Sequence, residues 1–222
     1  MAALVSVTEF SDSGPGPAVR GFLHAPAEMK GGALVLTHGA GADCRSKLLA
    51  AAADAFARAG LLVLRCDLPF RQERPHGPPF PAVAARDREG LRRAVNVLAE
   101  RTGGKVFLGG HSYGGRQATI LAAEAPELVA GLLLFSYPLH PPRKPAELRT
   151  AHFPHLRTPA LFVHGSRDPF GSLAEMSTAL QLIRGRTQLL PVESAGHELL
   201  RANTPEHLTS AIVSAFQSFF TR

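Results

Sequence analysis

The chain has 222 residues, which is long enough for one well-packed domain and too short for two, so a single domain over residues 1–222 is predicted. Hydrophobic residues make up 45% of the chain and charged residues 19%, a balance typical of globular proteins that excludes wholesale disorder. The formal net charge of +6 comes mostly from scattered arginines, and aromatic residues are sparse, so no nucleic-acid partner is expected.

No secretory signal and no membrane segment are expected in this sequence. No apolar run approaches the roughly 20 residues that a membrane-spanning helix needs. Residues 1–8 contain no basic residue ahead of a long apolar stretch, so no secretory signal is expected. We therefore predict a cytoplasmic protein with no membrane partner. Cys44 and Cys66 could form one disulfide, but without an export signal free thiols are the preferred interpretation.

In chain order, the first predicted element is an antiparallel hairpin with strands over 6–10 and 19–24 around the Gly- and Pro-rich turn 13–17. From there on, apolar runs alternate with helical patterns, which is typical of parallel strands covered by helices on both faces. The predicted strands are 33–37, 61–64, 105–108, 131–135, 160–163 and 188–192. The predicted helices are 46–59, 82–101, 115–125, 173–184 and 205–220. This pattern predicts an α/β fold, a doubly wound and mostly parallel sheet with the hairpin at one edge.

Two long segments interrupt the alternation. Residues 67–81 are too rich in proline for a helix or strand, and residues 137–159 form a Pro- and Arg-rich, lid-like loop. Each segment follows the carboxyl end of a predicted strand, which is the side of an open α/β sheet where ligands bind.

A nucleophile motif lies between a predicted strand and a predicted helix. Residues 110–114 read Gly-His-Ser-Tyr-Gly and match G-x-S-x-G, with Ser112 at the sharp strand–helix turn. Side chains two residues before and after the serine would collide in such a turn, which accounts for the two glycines. We predict that Ser112 is a nucleophile and that His111 beside it has a packing role.

A serine nucleophile needs a base that is oriented by an acid, in the chain order Ser, Asp or Glu, His. Asp168 follows the strand 160–163 and His197 follows the strand 188–192. The carboxyl ends of parallel strands meet at one sheet edge, so Ser112, Asp168 and His197 are predicted to come together. The alternatives are that Asp168 is a turn or helix-cap residue and that His197 is an ordinary histidine of a surface loop. Glu193 is the nearest other candidate for the acid.

The developing oxyanion needs two hydrogen-bond donors. One is predicted to be the backbone N–H of Tyr113, and the other an N–H of the loop 37–42 after the first core strand. Ala40 is the preferred residue in that loop, with Gly39 and Gly41 as near alternatives. A plain glycine turn is the competing interpretation.

These features together resemble the α/β-hydrolase superfamily over essentially the whole chain. The compact size resembles the dienelactone-hydrolase-like group. Residues 67–71 (Asp-Leu-Pro-Phe-Arg) and 137–142 (Tyr-Pro-Leu-His-Pro-Pro) resemble a branch that includes a testis-expressed hydrolase-like protein and a subunit of a histone-acetyltransferase complex. Dienelactone hydrolases proper have a cysteine nucleophile where this chain has Ser112, which argues against dienelactone as the substrate. The branch also implies that some relatives serve as scaffolds.

Metals and cofactors are not expected. His197-Glu198 begins like a zinc-protease H-E-x-x-H, but Arg201 replaces the second histidine. His152 and His155 are closely spaced, yet no cysteine or carboxylate cluster accompanies them. The chain also lacks the Gly-rich motifs that hold nucleotide phosphates.

The sequence therefore predicts a serine hydrolase acting on a small acyl substrate. The alternatives are an acyltransferase with the same triad and a non-catalytic interaction module. Arg71 and Arg74 lie in the proline-stiffened segment near the site, and we predict that at least one, preferably Arg71, selects an anionic group on the substrate. Otherwise these arginines pair with Glu73 or other acids, or face water.

Overall fold

The structure is a computed structural model that describes residues 4–200 and 205–221. The strands are β1 (Val5–Asp12), β2 (Val19–Pro26), β3 (Ala33–Thr37), β4 (Leu62–Cys66), β5 (Val106–His111), β6 (Gly131–Phe135), β7 (Ala160–Gly165) and β8 (Thr187–Val192). The helices are α1 (Lys47–Arg58), α2 (Pro69–Glu73), α3 (Ala84–Thr102), α4 (Tyr113–Glu124), α5 (Leu173–Leu180) and α6 (Pro205–Phe220). Short 3-10 turns lie at Pro81–Val83 and Phe153–His155.

The strands form one sheet in the order β1-β2-β4-β3-β5-β6-β7-β8. The β1–β2 and β2–β4 pairs are antiparallel and the other pairs are parallel, which confirms the predicted mostly parallel sheet with a hairpin at its edge. Every residue of β3, β5, β6 and β7 is buried. That burial explains why these strands are continuous apolar runs in the sequence.

Helices cover both faces of the sheet. On one face α1 and α6 pack together, with the rings of Phe56 and Phe216 4.9 Å apart between centroids. On the other face α3, α4 and α5 bury side chains such as Leu91, Leu121 and Met176. In the part of the chain that the structure describes, no helix is both long and apolar enough to cross a bilayer.

Two local predictions need correction. Residues 67–81 are not devoid of regular structure, because they contain α2 and lead into the 3-10 turn at Pro81–Val83. Pro69 and Pro81 occupy first-turn positions, where proline has the required φ and its missing N–H costs no hydrogen bond. The predicted helix 173–184 ends earlier, at Leu180, because residues 181–183 continue as a tighter turn with hydrogen bonds to the third residue back.

The loop over residues 137–159 is anchored in the core at both ends. Tyr137, Leu139, Phe153 and Leu156 are fully buried there. Only the stretch 142–148 is exposed throughout. Lid-like movement of this loop stays a prediction, and it concerns the exposed stretch because both ends of the loop are buried.

We expect His24 in β2 to make the stability of the fold depend on pH. Burial, and then the nearby Arg65 guanidinium, lower the pKa of His24 to about 4, and its Nε2 accepts a 2.8 Å hydrogen bond from Arg65 Nε. An unfolded histidine titrates near 6.5, so below that pH the unfolded chain takes up a proton that the folded chain refuses. The urea midpoint is therefore expected to fall between pH 7 and pH 5. His24→Gln should reduce this dependence, whereas His76→Gln, at an exposed histidine, should leave it unchanged.

Candidate active site

Ser112 lies in the turn between β5 and α4 with φ 51° and ψ −114°. A positive φ is unfavourable for a residue with a Cβ, so the surroundings must hold it. Its N–H donates to the carbonyl of Phe135 on the adjacent strand β6, and its carbonyl accepts from the N–H of Arg116, each at 2.9 Å. The turn therefore presents the Ser112 hydroxyl at the carboxyl edge of the sheet.

The glycines of the motif are required by close approach. A Cβ on Gly110 would lie 2.7 Å from the backbone C of Gly114, and one on Gly114 would lie 2.5 Å from the carbonyl oxygen of His38. Real Cβ atoms essentially never have contacts as short as these, and the atoms in the way belong to the backbone. The structure thus leaves no room for a side chain at either glycine, as the motif predicted.

Gly110→Ala is expected to destabilise the protein by about 3 kcal/mol, the upper end of the range for overpacked cores. The backbone of the turn has to shift to admit the methyl group, and the Ser112 hydroxyl shifts with it. Thermal unfolding measures the loss. Gly31→Ala is the matched control, because a Cβ there meets nothing within 4 Å in the described part of the chain. Equal melting temperatures for the two variants would contradict the clash.

Ser112, Asp168 and His197 are joined by a continuous chain of hydrogen bonds. His197 Nε2 lies 2.9 Å from Ser112 Oγ, and His197 Nδ1 lies 2.8 Å from Asp168 Oδ2 and 3.0 Å from Oδ1. A carboxylate only accepts, so Nδ1 carries the proton and Nε2 offers its lone pair to the serine hydroxyl. The three residues come from the loops after β5, β7 and β8, as the chain order predicted.

Asp168 is held as a carboxylate in a buried position. Its side chain is fully buried, and burial alone would raise its pKa. Hydrogen bonds from His197 and from the N–H of Phe170, together with nearby imidazoles, outweigh burial and bring the pKa of Asp168 below its ordinary value. Asp168 is therefore ionised at neutral pH and can stabilise a protonated His197.

Two aromatic rings orient the His197 imidazole. The Phe170 ring lies 4.2 Å from it between centroids at an interplanar angle of 33°, and the His111 ring lies 5.0 Å away. His111 Nε2 also donates to the carbonyl oxygen of His197 at 2.9 Å. His111 thus packs beside the site, and its hydrogen bond connects the loop of His197 to β5. Phe170 was not predicted as a site residue, and its position two residues after Asp168 is the only signal in the sequence that marks it.

The residues expected to supply the two oxyanion donors lie on either side of the motif in the chain. Tyr113 is the first residue of α4, so its N–H has no acceptor within the helix. The loop that carries Ala40 lies close to the serine, because a Cβ built on Gly39 would be 3.4 Å from Ser112 Cβ. The choice of Ala40 over Gly39 or Gly41 stays a prediction.

The structure places Arg71 and Arg74 in different surroundings from one another. Arg71 is 6% exposed and its guanidinium donates to backbone carbonyls, which is not the arrangement of an anion-binding side chain. Arg74 is exposed and lies over the ring of Phe80, 4.6 Å from its centroid. Glu73 pairs with Arg86 instead of either arginine. The structure therefore argues against the anion-selecting role of Arg71, because four of its five donors are used inside the protein, whereas Arg74 matches the alternative of an arginine that faces water.

The two cysteines are free, as predicted; they are also buried, and they are poor nucleophiles. Burial and the neighbouring Asp67 carboxylate raise the pKa of Cys44 to about 12, and burial raises that of Cys66 further. A thiol acts through its thiolate, which neither residue forms near neutral pH.

A mostly parallel eight-stranded sheet with a serine on the strand–helix turn, facing a histidine and a buried carboxylate, defines the class of α/β hydrolases. The chain belongs to this family: residues 30–219 match the family model described as alpha/beta hydrolase domain.

Solved structures share the fold over nearly the whole chain. A dienelactone hydrolase from Anabaena variabilis is 22% identical, with a TM-score of 0.77 over 97% of this chain and 98% of that one. Est1E from Butyrivibrio proteoclasticus is 14% identical, with a TM-score of 0.74 over 96% and 99%. XC6422 from Xanthomonas campestris, described as a serine hydrolase without a lid, is 14% identical, with a TM-score of 0.71 over 96% and 94%. At these low identities, the TM-scores show that the three proteins share the fold of this chain.

Proposed function

We propose that this protein is a serine hydrolase that cleaves a small ester, thioester or related acyl substrate through an acyl-enzyme. The observation that carries the proposal is the hydrogen-bonded chain from Asp168 through His197 to Ser112, with every link between 2.8 and 3.0 Å. Those distances lie within the reach that a nucleophile and its base need.

The reaction begins when Ser112 Oγ attacks the acyl carbonyl carbon while His197 Nε2 takes the hydroxyl proton. The carbonyl oxygen becomes an oxyanion that accepts hydrogen bonds from the N–H groups of Ala40 and Tyr113. His197 then donates its proton to the leaving group as the bond to that group breaks, which leaves an acyl-serine ester. Water repeats the sequence with His197 as base and releases the acid. Asp168 holds the imidazole in the reactive tautomer and stabilises its protonated form.

The proposed chemistry is complete with amino-acid side chains, backbone N–H groups and water. A nucleophile, a base, an orienting acid and two oxyanion donors supply every proton and electron pair that acyl transfer moves. We therefore propose no cofactor and no metal.

An acyltransferase and a non-catalytic module are the alternatives. An acyltransferase would use the same residues but would pass the acyl group to an alcohol in preference to water. A module of the kind implied by the scaffold-containing branch would form no acyl-enzyme at all. The hydrogen-bonded chain favours the enzymes over the module, because a binding surface does not require it.

The first experiment is labelling of the purified protein with a fluorophosphonate, followed by mass spectrometry of the modified peptide. We expect a single adduct on Ser112. Hydrolysis is then measured over p-nitrophenyl esters of increasing chain length, with a feruloyl ester included because ferulic acid is bound to Est1E in a solved structure. The same panel with added alcohols separates hydrolysis from acyl transfer. An unlabelled protein would favour the module.

A further inference from the structure

Arg71 is buried at the start of the proline-rich segment and is bound by main-chain carbonyls. Nε donates to Ala42 at 2.8 Å, Nη1 to Arg74 at 3.0 Å, and Nη2 to Ala40 at 2.8 Å and Gly77 at 3.1 Å. Four of the five N–H donors of the guanidinium are therefore used. Among the described residues no carboxylate forms an ion pair with Arg71.

Two of these carbonyls belong to the loop that lies close to Ser112. The carbonyls of Ala40 and Ala42 are held by Arg71, and the carbonyl of Gly39 accepts from His38 Nδ1 at 2.9 Å and from the N–H of Ala42 at 3.2 Å. The C=O and N–H of a trans peptide point in opposite directions. By holding the carbonyl of Ala40, Arg71 therefore sets the direction of the Gly41 N–H directly. The carbonyl of Gly39, which fixes the direction of the Ala40 N–H, is bound by His38 and by Ala42, whose own carbonyl Arg71 holds.

Helix α2 connects this loop with the other side of the proposed oxyanion site. The N–H of Leu68, just before α2, donates to His38 Nε2 at 3.1 Å, and the N–H of Phe70 donates to Asp87 Oδ1 at 3.0 Å. The second oxygen of Asp87 accepts from the Tyr113 hydroxyl at 2.7 Å. One short helix thus braces the residues that supply both expected donors.

We propose that Arg71 is a positioning residue that holds the loop 38–42 in the conformation needed to bind the oxyanion. The proposal rests on the acyl-transfer function proposed above. In this role Arg71 contributes to transition-state stabilisation through the loop and does not select the substrate, since its N–H groups donate to main-chain carbonyls. Lysine could not replace it, because a single ammonium group cannot span carbonyls on two sides as a planar guanidinium does.

The test compares Arg71→Ala and Arg71→Lys with Arg74→Ala, which removes an exposed arginine from the same segment. Loss of one oxyanion donor typically lowers kcat by about 10²–10³-fold, and we expect losses of this order for both Arg71 variants with little change in KM. The losses should be the same for neutral and carboxylate-bearing esters. Affinity for a trifluoromethyl ketone, whose serine adduct carries the oxyanion, should fall in parallel with kcat/KM. Arg74→Ala should behave as the parent protein does.

Added guanidinium gives a readout that a purely structural role would not produce. Removing the Arg71 side chain leaves a space lined by carbonyl oxygens, so low concentrations of guanidinium chloride should restore part of the kcat of Arg71→Ala and none of that of Arg71→Lys. A raised KM confined to anionic esters, or an unchanged kcat in both Arg71 variants, would overturn the proposal.

Hydrogen exchange keeps the test independent of the proposed activity. In Arg71→Ala the peptide that covers residues 38–42 should exchange faster, and in Arg74→Ala at the parent rate. Unchanged exchange in Arg71→Ala would overturn the positioning role even if the protein proves to be inactive. A parent protein that neither labels with fluorophosphonate nor hydrolyses any ester would instead refute the proposed function. If Arg71→Ala does not fold, Arg71→Lys carries the same comparisons.

Discussion

Ser112→Ala is expected to abolish fluorophosphonate labelling and to lower ester hydrolysis by about 10⁴–10⁶-fold, as loss of the nucleophile does in other serine enzymes. Without Oγ no acyl-serine can form, and the remaining rate comes from water attacking a substrate held by the oxyanion donors. The fold should survive, because Ser112 Oγ bonds only His197 Nε2 among the described contacts. Intact-protein mass spectrometry and the ester assay measure the two effects, and circular dichroism checks the fold.

Ser136 is the matched control for this substitution. It follows the neighbouring strand β6, has a similarly positive φ of 47°, and is fully buried. Its Oγ has no hydrogen-bond partner in the described part of the chain. Ser136→Ala should therefore label and hydrolyse as the parent does. Parent-level turnover in Ser112→Ala would show that the nucleophile is assigned to the wrong residue.

Asp168→Asn is expected to lower kcat by about 10³–10⁴-fold, by analogy with the same substitution in other triads. The asparagine amide has about the same size, so the fold should remain. Its N–H₂ group can donate to Nδ1, however, and this favours the tautomer in which Nε2 carries the proton. His197 then presents a donor to Ser112 where the reaction needs a base. Steady-state kinetics measure the loss, and labelling by fluorophosphonate should slow correspondingly.

Glu193 provides the control for the acid, since it was the other carboxylate considered for this role. Its side chain is exposed on the loop after β8, whereas Asp168 bonds His197 from a buried position. Glu193→Gln should therefore leave kcat unchanged. A large loss in Glu193→Gln together with near-normal turnover in Asp168→Asn would reverse the assignment.

Much of the fold could be predicted from local sequence pattern. Buried parallel strands have apolar residues on both faces, so β3 and β6 are visible as uninterrupted runs, and their predicted bounds match the structure. The N-terminal hairpin is marked by its Gly- and Pro-rich turn. Helix α2 could not be predicted in this way, because its five residues are too few for a periodic pattern and contain a proline. A buried acceptor, Asp87, stabilises its first turn from 17 positions away.

Local sequence pattern was sufficient to predict the order of strands and helices along the chain and the convergence of Ser112, Asp168 and His197 at one sheet edge. The carboxyl ends of strands in a parallel sheet lie at the same edge whatever conformation the loops adopt, so the motif and the chain order were enough. The roles of Arg71 and Phe170 follow only from the folded protein. The carbonyls that bind Arg71 in the loop before α1 lie 29 and 31 positions away, and the Phe170 ring meets an imidazole from another loop. A long side chain has no preferred partner in the sequence, because its contacts depend on which backbone groups the folded chain leaves within reach.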